Sequence, residues 1–138
     1  MSPITRFGIS MDARLLKRFD AFMRQHGYAN RSEALRGLVR DRLVQEEWKD
    51  AGRETVGTIT LIYDHHQRDL SEKLISLQHE GHEIVLSAMH VHLDHHNCLE
   101  VLAVKGSAAG IRKMADRLIG TRGVKHGKLV MTSTGKDL

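Results

Sequence analysis

Between Met89 and Glu100 the chain places His90, His92, His95 and His96 together with Cys98, its only cysteine. Imidazole nitrogens and a thiolate are ligands for borderline and soft metal ions. His90 and His92 lie two apart, so on a strand both point to one face with Cα atoms roughly 6.6 Å apart. If the next strand of a hairpin begins at Cys98, the thiol lies diagonally across from His92, on the parity of Glu100 and Leu102. This arrangement can offer N, N and S ligands to a single ion. The plainer reading is a polar hairpin end beside a buried cysteine.

The other histidines divide by position. His95 and His96 fall in the turn and His65 and His66 in a loop after a strand, while His126 in "VKHGK" reads as a turn residue at a strand start. His79 sits on a helix whose apolar seam is Leu70, Leu74 and Leu77. At 100° per residue it lies about 180° from Leu70. It therefore faces away from its own sheet, and an ion bound there more readily belongs to the hairpin of another subunit.

Elements must hold these groups in place. "TVGTITLIYD" reads as a strand. "RDLSEKLISLQHEG" reads as a helix opened by Asp69, with Glu72 three residues on, and closed near Gly81. "EIVLSAMHVHLD" and "CLEVLAVKG" form a hairpin. "SAAGIRKMADRLIGTRG" is a helix with Ile111, Met114, Ala115, Leu118 and Ile119 on one face, and "VKHGKLVMTS" is a closing strand. The order βαββαβ is the ferredoxin-like split arrangement. Odd positions Val85, Met89, Val91, Leu93, Leu99, Val101 and Ala103 are expected under the helices. The even face, still apolar at Ile84, Leu86, Ala88, Leu102 and Val104, is expected in an interface.

The first segment differs. Residues 1–53 hold 11 Lys/Arg against 7 Asp/Glu, and the rest of the chain is balanced, so the net charge of +4 lies at the N-terminal end. "RFGIS" (6–10) reads as a short strand with Phe7 and Ile9 on one side and Arg6, Gly8 and Ser10 on the other. A helix with Leu15, Leu16, Phe19, Phe22 and Met23 follows, ended by Gly27. A second helix is opened by Asn30 and Glu33 and carries Leu35, Leu38, Val39 and Leu43, with Trp48 a further candidate at its end. One strand and two helices bury too little surface to fold alone. Pairing the strand with its copy in a dimer repairs this. The resulting ribbon fits a DNA major groove, where Arg6 can donate to guanine O6 and N7. The start of the second helix offers N–H groups to a phosphate.

The fold class is therefore α+β, with a basic βαα module over residues 1–51 and a βαββαβ module over 52–138, separated near "AGRE". A lone cysteine and no export-like apolar N-terminus point to the cytoplasm. No apolar run nears the roughly 18 residues of a membrane span, so no membrane partner is expected. A small zinc- or copper-dependent hydrolase is the rival reading, with Glu100 as general base or Cys98 paired with a histidine as nucleophile. It leaves the basic module without a role and finds neither pocket-forming loops nor a phosphate-cradling glycine loop.

"RFGIS" and "GYANRSEALR" resemble the ribbon-helix-helix repressors. With "YDHHQRDL", "SLQHEGHEI", "MHVHLDHHNCLEVLAVKG" and "TRGVKHGKL", the chain from Arg6 to about Thr132 resembles the NikR family of nickel-responsive regulators. The resemblance implies an ACT-like C-terminal domain in a tetrameric core flanked by two ribbon-helix-helix dimers. It implies one planar Ni(II) site per subunit, made by His90, His92 and Cys98 with His79 of a neighbouring subunit. Gln78 and Glu100 match residues of the hydrogen-bonding shell around those ligands. Nickel then favours binding to a palindromic DNA operator, typically repressing nickel uptake genes. The chain departs from its relatives in two ways. Arg6, Gly8 and Ser10 stand where relatives often carry Arg, Thr and Thr, so their operator sequence does not transfer. Gly37 stands where some relatives place an acidic residue of an accessory cation site, although Glu33 is retained.

Overall fold

A computed structural model describes residues Ser2–Leu138. The chain forms two compact units, one ending at Asp41 and the other spanning Arg42–Leu138. The division falls within the second helix, ahead of the composition break near residue 52, because Val44 and Trp48 pack in the core of the second unit.

In the first unit, α1 (Ala13–Gln25) is capped by Asp12, whose carboxylate accepts from the Arg14 and Leu15 N–H groups. It stops before Gly27, at φ 73°, the left-handed conformation that glycine adopts without strain. Asn30 caps α2 (Arg31–Glu47) by accepting the Glu33 N–H at 2.9 Å, which is the expected pair. That bond uses one of the N–H groups expected to face a phosphate. The Tyr28 hydroxyl lies where a side chain at Gly37 would begin, 2.8 Å from an added Cβ.

The strand expected at Arg6–Ser10 does not form: Ser2–Asp12 has no regular structure, and Phe7 is 76% exposed. A β-ladder is made between two strands, and this segment has no partner strand within its own unit.

The second unit follows the expected order: β1 (Glu54–Asp64), α3 (Arg68–Glu80), β2 (Val85–His92), β3 (Asn97–Ser107), α4 (Ala108–Ile119) and β4 (Val124–Thr132). The antiparallel sheet runs β2-β3-β1-β4, leaving β2 at an edge. Asp69 does not cap α3 as expected. It lies in the first turn, where a carboxylate complements the positive end of the helix. Gly81 does end α3, and Ser107 caps α4 by accepting the Gly110 N–H. No helix among the described residues is long and apolar enough to cross a membrane.

The sheet faces are opposite to those expected. Cys98, Glu100, Leu102 and Val104 lie buried under the helices. Leu99, Val101 and Ala103 are only partly covered, and Met89, Val91 and Leu93 are exposed. β1 decides the matter, since β3 has apolar residues on both sides. Ile59, Leu61 and Tyr63 stand opposite Leu102, Glu100 and Cys98, whereas the other side of β1 carries Thr58 and Thr60. Burying the bulkier apolar set is the more favourable choice. The apolar face left without a helix is thus the odd one, not the even.

Candidate metal centre

The β2–β3 hairpin sets His90 opposite Glu100 and His92 opposite Cys98. The thiol therefore faces His92 directly rather than diagonally. The connecting turn is fastened by Asp94, whose carboxylate accepts from the backbone N–H groups of His96 (2.8 Å) and Asn97 (2.7 Å). The Asn97 side-chain amide donates to it as well, at 3.0 Å. These bonds, the Asn97 side chain first, lower the Asp94 pKa to about 2. His95 and His96 lie exposed near this turn, as expected.

His90 and His92 project on the helix-covered side, yet the helices do not reach over the edge strand. Both residues are exposed, the His90 side chain by 49%. Cys98 is buried, with Sγ 4.0 Å from His90 Nδ1. The site is thus half sunk: the thiol is held inside while the imidazoles reach outward.

Behind them lies a polar network inside the core. Glu100, 1% exposed, places Oε2 3.1 Å from His90 Nδ1. The same oxygen accepts the Tyr63 hydroxyl at 2.7 Å, and the Gln78 amide donates to Oε1. Burial, followed by the bond to Glu100, pushes the Tyr63 phenol well above its ordinary pKa. It therefore remains protonated and a donor. Glu100 is fully engaged, which fits an orienting carboxyl better than a general base. A metal-ligating imidazole commonly has its second nitrogen oriented in this way by a carboxylate.

His79 is exposed on α3 while Leu70 and Leu74 are buried, so it turns away from its own sheet as the helical spacing required. Among the described residues of one chain, no three His, Cys, Asp or Glu side chains gather closely enough to hold an ion. The hairpin supplies a donor set of two imidazoles and a thiol that suits nickel, zinc or copper.

Two contributors were not legible from spacing. Tyr63 reaches the site from β1, and His65, just past the end of that strand, stacks its ring on His92 with centroids 4.5 Å apart and planes 9° apart. Both follow from the β1–β3 register, in which Asp64 pairs with Asn97 at the hairpin end. Burial, then the neighbouring His66 and His92, lowers the His65 pKa. His126 belongs to β4 opposite Ile62, not to a turn. In the first unit Arg6, Gly8 and Ser10 are all exposed.

Residues 56–132 match the family model described as the NikR C-terminal nickel-binding domain. A protein of Geobacter sulfurreducens, named as a nickel-responsive regulator, is 58% identical over 100% of this chain and 99% of its own length. Proteins of the same name from Pelobacter propionicus and Nitratidesulfovibrio vulgaris are 58% and 54% identical over the same shares.

Proposed function

The chain belongs to the NikR family of nickel-responsive regulators, and on that premise we propose how its residues couple the metal to DNA. It is a nickel-binding regulator rather than an enzyme. In our reading His90, His92 and Cys98 bind one nickel ion per subunit, and His79 of a neighbouring copy completes the site. The observation that carries this reading is the opposition of His92 and Cys98 across the hairpin, with His90 beside them. The donor chemistry fits the ion. Gln78, Tyr63 and Glu100 form the hydrogen-bonded support that orients His90.

Each residue then has a task. Glu100 holds the His90 ring through Nδ1, Tyr63 and Gln78 hold Glu100, and Asp94 keeps the turn closed so that Cys98 stays opposite His92. Held by these residues, a nickel ion would tie the hairpin of one copy to α3 of another. The uncovered odd face, with Met89, Val91, Leu93 and Val101, supports assembly into a tetramer, because exposed apolar patches of this kind mark interfaces. Residues 1–51 act as the DNA-reading module, and 52–138 as the metal-binding and assembly module. Phe7 and Ile9 become buried when two copies of the N-terminal segment pair, which turns Arg6, Gly8 and Ser10 toward a palindromic operator. Repression of nickel uptake genes is the output this arrangement serves.

The test is an operator-binding assay with and without nickel for the wild type, Cys98→Ala and Arg6→Ala. Nickel should tighten wild-type binding and leave Cys98→Ala unaffected. Arg6→Ala should weaken specific binding by about 1–3 kcal/mol. Equal binding by all three proteins in both conditions would defeat the proposal.

A further inference from the structure

We propose that His65 is a positioning residue for nickel: its ring, stacked on His92, fixes the plane of that imidazole and so contributes to the choice of metal. The inference rests on His92 being a nickel ligand. The two hairpin histidines differ in how they are held. His90 has Glu100 and Tyr63 within hydrogen-bonding reach of its Nδ1. His92 stands exposed on an edge strand, beyond the cover of the helices. The aromatic ring packed on it is His65, nearly parallel at 9° and 4.5 Å between centroids, at the near limit of favourable stacked pairs.

His65 is itself well placed for this task. Its backbone N–H donates to the His96 carbonyl at 3.1 Å, tying the end of β1 to the hairpin turn. The His66 ring lies beside that of His65, tilted by 43° with centroids 4.3 Å apart, and the His66 Nε2 meets the His95 carbonyl. Yet His65 Nδ1 is buried with no hydrogen-bond partner. A buried ring nitrogen without a partner is unfavourable, so the ring is not placed there for that nitrogen. The contact it does make is through its face, on His92.

The consequence concerns selectivity. Ni(II) has d-electron geometric preferences among nitrogen and sulfur donors, whereas Zn(II), with a filled d shell, has no such ligand-field preference and settles for a tetrahedron. A His92 ring free to turn would still serve zinc but would serve nickel less well. His65 thus acts on the difference between metals more than on the affinity for either one.

The experiment uses the full-length protein with Ala, Leu and Phe at position 65, and His92→Ala as control. Nickel and zinc affinities come from chelator competition, the thiolate-to-nickel absorption bands from titration, and metal-free thermal stability from melting. Phe retains an aromatic face and removes the orphaned nitrogen, so it should keep the wild-type bands and nickel affinity. Ala and Leu should weaken nickel binding about tenfold, shift the bands and lose less zinc affinity. Leu fills the space and carries the test if Ala does not fold. Wild-type nickel binding in Leu, or a loss in Phe equal to that in Ala, would overturn the proposal. So would equal losses for nickel and zinc. If His92→Ala binds nickel like the wild type, the assignment of His92 fails, and this inference fails with it.

Discussion

Glu100 concentrates the chemistry of the site in one buried carboxyl. Three neighbours from three elements reach it: Tyr63 from β1, Gln78 from α3 and His90 from β2. Removing it in Glu100→Ala leaves the Tyr63 hydroxyl and the Gln78 amide without their acceptor. Each buried donor so stranded costs about 1–3 kcal/mol. Urea unfolding of the metal-free protein should therefore show a loss of about 3 kcal/mol, and nickel affinity should fall about 10- to 100-fold. Glu100→Gln, which retains an acceptor for Tyr63, should lose less of both. Wild-type unfolding in Glu100→Ala would show that the network adds nothing to stability. The parity of Cys98 and Glu100 was readable from the sequence, because alternation along one strand is a local property. The roles of Tyr63 and His65 were not, since each depends on which strand lies beside β3.

At the level of elements, the same distinction runs through the fold. The βαββαβ order, the Asn30 cap and the stop at Gly81 were legible because each depends on residues a few positions apart. Which sheet face the helices cover was not, because β3 is apolar on both sides and only its pairing with β1 breaks the tie. The strand expected at Arg6–Ser10 does not form, because its alternation is local while a ladder needs a partner strand that the unit lacks. The hairpin turn offers a direct test of local chemistry. Asp94 has its pKa lowered from an ordinary 3.8 to about 2. Its stabilisation is therefore complete above the ordinary value and is lost as pH falls toward about 2. Asp94→Asn keeps an acceptor but cannot ionise. Metal-free melting temperatures of wild type and Asp94→Asn should differ at pH 5 and converge as pH falls toward 2. A constant gap across that range would mean the carboxylate charge does not hold the turn.

For the whole molecule, the outward-facing His79 makes a prediction that no single-chain property can mimic. His79→Ala and Cys98→Ala should each lose the tight nickel site when assembled alone. Assembled together from a mixture of unfolded chains, an intact hairpin on one copy meets an intact His79 on the other. Tight nickel binding should then return at a fraction of the sites, measured by titration of the mixed assembly. No recovery would refute the sharing of the site between copies. β3 has Cys98 near its start and runs without a connecting loop into α4 at Ser107. The first residues of α4, Ala108 and Ala109, donate their N–H groups to the carbonyls of Arg53 and Ala51. From the thiol to the stretch that follows α2, the path is one extended strand about 30 Å long. No loop interrupts that path between the thiol and the contact with Ala51.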